Sequence, residues 1–145
     1  MNIRLLNNSS SGFYKVDENE IALLREKIKS EIPADLVELW NKIGYGFLIS
    51  ENNNVNRIMD PLSVIDFRFG RGDFEYLPDI EIYKEFQNDK LIFFESNESA
   101  YISIGISEEN SGKIYYYDTQ VAANLDDFFE KIKANDMYFA DLLEM

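Results

Sequence analysis

Carboxylates dominate the side chains in this sequence that could take part in acid–base or metal chemistry. The 145 residues contain 27 Asp and Glu but no His and no Cys. Without these two residue types, a Ser-His-Asp triad, thiol catalysis, disulfides, iron–sulfur clusters and most transition-metal sites are excluded. What remains are carboxylate pairs, because a glycosidase needs two carboxyl groups held about 5–10 Å apart in a cleft.

The two adjacent carboxylate pairs in the sequence have simpler interpretations than catalysis. Asp126-Asp127 lies where a helix is predicted to begin, and Glu108-Glu109 lies in a predicted hairpin loop. An all-oxygen Mg²⁺ or Ca²⁺ site stays open as an alternative, although no Asp-x-Asp-x-Asp loop is present. No Walker or Gly-x-Gly-x-x-Gly pattern occurs. We therefore expect no catalytic residue, no cofactor and no metal.

The charge of the chain points to a protein partner. Lys and Arg total 14, so the net charge is −13, and most of it lies after Pro61. Such a surface repels nucleic acid and anionic lipid and attracts basic proteins, although a need for solubility would produce the same composition. The N-terminus has no signal-peptide core, and no apolar run approaches the roughly 18 residues of a membrane span. We expect a cytoplasmic protein with no nucleic-acid or membrane partner.

Two helices are predicted near the N-terminus. Asp17 is a suitable N-cap for a helix from Glu18, and Glu20 completes a start similar to a capping box. Pro33 suits the first turn of a second helix, which Gly44 ends. The second helix carries an amphipathic stripe with i, i+3, i+4, i+7 spacing, namely Leu36, Leu39, Trp40 and Ile43. The stripe indicates that Trp40 is a core residue.

The remaining periodicity predicts strands and then helices. Strands are expected at 45–49, 55–59, 91–95, 100–106 and 113–118, a helix at 61–69, and C-terminal helices at 125–132 and around 139–143. The stretch 73–86 has no clear period. This order predicts an α+β fold, a mixed, largely antiparallel sheet flanked by N-terminal and C-terminal helices. We expect a single domain over 1–145, with its core at 18–135 and a flexible segment at 1–12.

Five segments together resemble a known superfamily. They are 32–47 (IPADLVELWNKIGYGF), 56–61 (NRIMDP), 89–95 (DKLIFFE), 113–118 (KIYYYD) and 125–132 (LDDFFEKI). Their order is similar to that of the SUKH (Smi/Knr-like) superfamily, and the resemblance covers about 18–135. Many relatives have a Gly-Gly or Gly-Asp step where this chain has Asn97-Glu98-Ser99.

The resemblance implies a binding function without catalysis. Bacterial members of the superfamily are immunity proteins that bind secreted polymorphic toxins, often nucleases, and protect the producing cell. We therefore expect an immunity protein that covers the basic active-site surface of its toxin, and that is a monomer or a weak homodimer. The alternative is a non-enzymatic regulatory or scaffold module, because other branches control cell-wall assembly through protein contacts.

Charge density and strand geometry select the candidate contact residues. A nuclease surface is basic, so carboxylates that mimic phosphate charge are expected to face it, with tyrosines as anchors. If Ile114 faces the core, its neighbours on the strand face outward, and Tyr101 can join them from the next strand. A second apolar layer under the C-terminal helix is the alternative for these tyrosines. The candidates are Glu75, Asp79, Glu81, Glu95, Glu98, Tyr101, Tyr115 and Tyr117.

Overall fold

Seven strands form one sheet in which sequence order and spatial order are the same. The structure is a computed structural model that describes residues 12–49, 54–77, 80–97 and 100–143. Every neighbouring pair of strands is antiparallel. The strands are β1 (Gly12–Tyr14), β2 (Tyr45–Ile49), β3 (Val55–Ile58), β4 (Lys90–Ser96), β5 (Ala100–Gly105), β6 (Ile114–Tyr116) and β7 (Thr119–Ala122).

Helices occupy the two long connections of this sheet and its C-terminal end. They are α1 (Glu18–Ile28), α2 (Ala34–Lys42), α3 (Pro61–Phe69), α4 (Ile80–Lys84), α5 (Leu125–Ala134) and α6 (Tyr138–Leu143), with a 3₁₀ turn at Gly72–Phe74. The predicted α+β fold, with a largely antiparallel sheet flanked by helices, is confirmed. None of the helices in the described ranges is long and apolar enough to cross a bilayer.

Helix starts follow the capping residues that the sequence indicates. Asp17, Asp60 and Asn124 accept hydrogen bonds from backbone N–H groups in the first turns of α1, α3 and α5. Each of these bonds satisfies a backbone donor that has no partner within its helix. Pro33 takes the N-cap position of α2 and therefore stands one residue before the helix.

Two glycines allow β1 to pair closely with β2. Gly44 and Gly46 have φ values of 106° and 141°. A Cβ atom at either position would collide with the carbonyl oxygen of Tyr14 or Gly12 on β1. Glycine is therefore required both by the backbone conformation and by the close approach of the neighbouring strand.

The C-terminal helices cover one face of the sheet. Phe94 lies on this face, with its ring centroid 5.1 Å from that of Phe128 and 6.1 Å from that of Phe129, both on α5. Tyr116 meets Phe139 of α6 at 5.0 Å, as the prediction of a helix returning to the core requires. Leu142 of the same helix is exposed, so only part of α6 returns to the core.

The opposite face is covered by the connection from β3 to β4. This connection holds α3, the 3₁₀ turn and α4, and it packs over Tyr101 of β5. Strand β4 is buried on both faces, as its continuous apolar sequence predicts. The sheet is therefore the middle layer of three in this part of the molecule.

The end of the sheet differs from the sequence prediction. The strand predicted at 113–118 ends earlier than expected, because β6 stops at Tyr116. The chain then turns back into β7, which was not predicted. Tyr116 pairs with Thr119, so Tyr117 and Asp118 form a two-residue hairpin turn. The turn contains no glycine, so the Asn-Gly or Asp-Gly pair that usually marks a two-residue hairpin is missing.

Candidate functional site

The stretch 73–86, which has no clear period in the sequence, contains several of the candidate residues. Its described part belongs to the layer that α3, the 3₁₀ turn and α4 form over the sheet. Phe74 of the 3₁₀ turn, together with Ile80 and Tyr83 of α4, is buried. Their side chains hold the connection on the sheet, with Phe74 and Tyr83 packing edge-on against Phe67 of α3 at 5.0 and 5.8 Å. The outward positions of α4 are consequently held in place by a packed aromatic base.

Tyr101 belongs to that aromatic base and not to the surface. Its side chain is only 4% exposed, and its ring lies 4.6 Å from Phe67 and 5.2 Å from Tyr83. The prediction that Tyr101 faces outward as an anchor is therefore wrong. The strand alternation was predicted correctly, but α3 and α4 cover the face onto which Tyr101 projects.

Tyr83 ties α4 to the end of the sheet. Its hydroxyl accepts a hydrogen bond from the backbone N–H of Tyr101 at 3.3 Å, just beyond the last residue that β6 pairs with β5. Burial raises the pKa of Tyr83 above its usual value, and a hydrogen bond with Tyr117 adds to this effect. The phenol thus remains neutral and acts as a hydrogen-bonding group.

Tyr117 is half-buried and lies in the β6–β7 turn. Its ring stacks on that of Tyr83 with centroids 4.9 Å apart and an angle of 16° between the planes. Its backbone is left-handed, with φ of 55°, a conformation that costs a residue other than glycine about 1 kcal/mol. The prediction that Tyr117 continues the outward face of β6 is wrong, because the strand has already ended and the ring packs against α4.

Tyr115 is also half-buried. It lies opposite Ser103 in β5, and the ammonium group of Lys90 stands 4.7 Å from its ring centroid. Lys90 in turn forms an ion pair with Asp89 at 2.8 Å. Tyr115 is thus partly covered by a cation, and it presents less free ring surface than the sequence prediction implied.

The candidate carboxylates divide into two groups. Glu75 and Glu81 are exposed on the β3–β4 connection, which brings them to the same layer. Glu95 is half-buried and lies between Arg57 and Tyr101 in the strand register. Asp79 and Glu98 lie outside the described residues.

Two apolar side chains that sequence reasoning missed accompany the exposed carboxylates. Tyr76 is 87% exposed and Ile82 is 48% exposed. The available signal was the pattern of α4, where Ile80 and Tyr83 take the inward positions and leave Ile82 outside. We call the exposed set Glu75, Tyr76, Glu81, Ile82 and Glu85 the α4 surface.

Comparison with known proteins places the chain in a family. The SMI1 / KNR4 family (SUKH-1) matches residues 15–131. The chain belongs to this family. It is also 48% identical, over 137 residues that cover 94% of this chain and 93% of the relative, to a Bacillus subtilis (strain 168) protein named immunity protein YxxD. The resemblance to the SUKH superfamily is thus confirmed.

The paired carboxylates of this SUKH-1 chain have structural roles. Asp127 accepts a hydrogen bond from the backbone N–H of Ala123 at 2.9 Å, and this bond, with help from Lys131, lowers the pKa of Asp127. Asp126 shares the first turn of α5, whereas Glu108 and Glu109 lie in the turn after β5. The predicted interpretations of both pairs are confirmed.

The carboxylates beside the start of α1 also have a structural assignment. An open cleft of about 790 Å³ beside the start of α1 includes Asp17 and Glu18. Asp17 is engaged as the helix cap, since it accepts from the N–H of Asn19 at 2.9 Å. Within the part of the chain that the structure describes, no group of three or more Asp and Glu is placed to hold a metal ion.

Proposed function

We propose that this chain is an immunity protein that binds and neutralises a cognate secreted polymorphic toxin. The observation that carries the proposal is the 48% identity, over nearly the full length of both chains, to a protein named as an immunity protein. Family membership supports the same conclusion, because the match spans 15–131. The chain acts by binding, and it transforms no substrate itself.

The net charge of −13 supports a basic toxin domain, in particular a nuclease. A nuclease must hold the phosphates of its substrate with positive side chains, so its active-site surface is complementary to an acidic protein. Opposite potentials also accelerate the encounter of two proteins, toward roughly 10⁸ M⁻¹s⁻¹ at low salt. Fast capture suits an immunity protein, since free toxin damages the cell that produces it.

The proposed contact surface is the acidic side of the β3–β4 connection, extended toward the ends of β4 and β6. The exposed positions of Glu75 and Glu81 support it. The proposed contacts also include Asp79, Glu95 and Glu98, with Tyr115 and Tyr117 at the border. Tyr101 is removed from this set because it is buried.

Co-expression with the product of the adjacent upstream gene, the expected toxin, tests the function. We expect rescue of growth, and we expect the purified proteins to form a complex whose association rate falls at least about tenfold between low and high salt. Failure of both rescue and binding would refute the immunity function and favour the regulatory or scaffold alternative. Rescue with an association rate that does not depend on salt would contradict charge steering but leave the immunity function intact.

A charge reversal with a matched control tests the contact residues. We expect the double variant Glu95→Lys/Glu98→Lys to weaken protection while the protein stays folded. The control Glu108→Lys/Glu109→Lys makes the same change in net charge at the turn after β5. Equal protection by the two double variants would exclude Glu95 and Glu98 from the interface.

A further inference from the structure

The segment from the end of α3 to α4 exposes several large apolar side chains, including Tyr76, which is 87% exposed. Phe69, Tyr76 and Ile82 are three of the large apolar side chains that are substantially exposed in the described structure, and all lie within this short segment. Single exposed apolar residues are ordinary on protein surfaces, but a concentration of them marks an interaction site. Burying these side chains against a partner would remove this apolar surface from water.

The underlying base makes this surface rigid. The inward residues Phe74, Ile80 and Tyr83 are buried, and Tyr83 is fixed both by its hydrogen bond to the Tyr101 N–H and by its stack on Tyr117. Side chains presented on a packed base lose little further backbone entropy on binding. An exposed tyrosine on such a base has the properties of an interface anchor.

The charges around these side chains select the chemistry of the partner. Tyr76 follows Glu75 directly, and Ile82 lies between Glu81 and Glu85, all of which are exposed. Lys84 forms an ion pair with Glu81 at 3.3 Å, and the other nearby cation, Arg71, lies over the ring of Phe69. The rim is therefore acidic, and it would repel a second copy of the same surface.

We propose that the α4 surface is the anchor of the toxin interface, with Tyr76 and Ile82 inserting into an apolar depression that basic residues of the toxin surround. This inference rests on the proposed immunity function and deepens it. The carboxylates steer the encounter and set the orientation, whereas Tyr76 and Ile82 determine how long the complex lasts. The two contributions are separable because they act on different rate constants.

A second exposed apolar group on the same chain provides the matched control. Tyr14 of β1 and Phe47 of β2 are exposed at the β1–β2 edge of the sheet. The charged neighbours there are Lys15 and Arg57, and Arg57 is paired with Asp60 at 3.3 Å. This region has exposed apolar side chains without the acidic rim, so it lacks the complementarity to a basic protein.

The test compares Tyr76→Ala/Ile82→Ala with Tyr14→Ala/Phe47→Ala in the full-length protein, using the product of the adjacent upstream gene as the probe. Both double variants keep the net charge. We expect the first to raise the dissociation rate at least tenfold, with the association rate and its salt dependence nearly unchanged, and the second to leave dissociation unchanged. Wild-type binding with equal dissociation rates for both variants would overturn the inference and leave the proposed function intact.

Two further measurements test whether the α4 surface contacts the toxin or a second copy of the chain. A photo-crosslinking residue placed at position 76 should capture the toxin, whereas one at position 14 should not, and the reverse result would overturn the inference. Sedimentation of the free protein should show no dimer that depends on Tyr76 and Ile82. A dimer that the double variant abolishes would assign the surface to self-association and overturn the proposal. Absence of any wild-type complex would instead refute the immunity function.

Discussion

The face of the sheet under α5 and α6 packs mainly through phenylalanine and isoleucine, with Tyr116 against Phe139, whereas the face under α3 and α4 is rich in tyrosine. On the first face Phe94 packs against Phe128 and Phe129, with no hydroxyl among these three rings. On the second, Tyr101, Tyr83 and Tyr117 form a continuous series of ring contacts. Both layers stabilise the sheet, and the ring contacts of the second also position α4.

The difference between the two layers teaches how one small sheet serves two purposes. Burial provides most of the attachment of α5 and α6, and a hydrogen bond from the Tyr138 hydroxyl to the Val121 carbonyl at 2.8 Å adds to it. The connection that carries α4 is long and only partly helical, so directed contacts supplement burial there. The hydrogen bond from the Tyr101 N–H to the Tyr83 hydroxyl is the clearest of these contacts.

The largest expected effect belongs to the phenylalanine layer. Phe94→Ala removes a fully buried ring and should lower the free energy of unfolding by about 3–5 kcal/mol. For a chain of this length, we expect a fall of roughly 10 °C in the melting temperature measured by circular dichroism. Phe69→Ala, which truncates an exposed phenylalanine, is the control and should shift the melting temperature only slightly. Equal shifts would contradict the assignment of Phe94 to the core.

A hydroxyl deletion tests the tyrosine layer with a smaller effect. Tyr83→Phe keeps the ring but removes the hydroxyl that accepts from the Tyr101 N–H and bonds with Tyr117, which should cost about 1–3 kcal/mol. Hydrogen exchange of the Tyr101 amide should accelerate in this variant. Tyr76→Phe, at an exposed tyrosine, should change neither the stability nor that exchange rate. An unchanged Tyr101 exchange rate in Tyr83→Phe would show that the hydroxyl does not hold α4 on the sheet.

The turn residue Tyr117 should affect binding more than stability. In Tyr117→Gly, relief of the left-handed backbone strain offsets part of the lost stacking on Tyr83, so we expect stability to change by no more than about 1 kcal/mol. Toxin dissociation should nevertheless become faster, because α4 loses a contact that positions it. Tyr117→Asn also tolerates the backbone conformation and should behave in the same way. A stability loss as large as that of Phe94→Ala would make Tyr117 a core residue.

The elements of the fold that sequence reasoning predicted correctly have strong local signals. Helix α1 has the Asp17 cap and α2 has a periodic apolar stripe, and Trp40 is buried as predicted, with its indole N–H donating to the Met59 carbonyl at 2.9 Å. Strand β7 was missed because it has only four residues and follows a turn without glycine. This chain has Asn97 where many relatives have glycine. The φ of Asn97 is 47°, a left-handed conformation that asparagine tolerates better than most other residues.

The candidate site was less predictable because exposure depends on tertiary packing. Strand alternation correctly placed Tyr101 on the face opposite Ile102, but only the path of the β3–β4 connection determines that this face is covered. The same connection leaves Tyr76 and Ile82 exposed, and its sequence has no clear period. Charge density selected Glu75 and Glu81, which are exposed, whereas strand geometry selected Tyr101, which is buried.

The smallest expected effect concerns Asp127, a carboxylate that stabilises a helix and is not among those proposed to bind the toxin. Bonds to the Ala123 N–H and to Lys131 lower the pKa of Asp127, so its charged form stabilises the folded state. This contribution is complete above the ordinary aspartate pKa of about 4 and is lost as pH falls through the lower folded pKa. Asp127→Asn should therefore reduce stability by roughly 0.5 kcal/mol at pH 7, and the difference should vanish in acid. Toxin dissociation should not change, because Asp127 lies on α5 and not on the α4 surface. Faster dissociation in Asp127→Asn at unchanged stability would mean that the interface includes the start of α5.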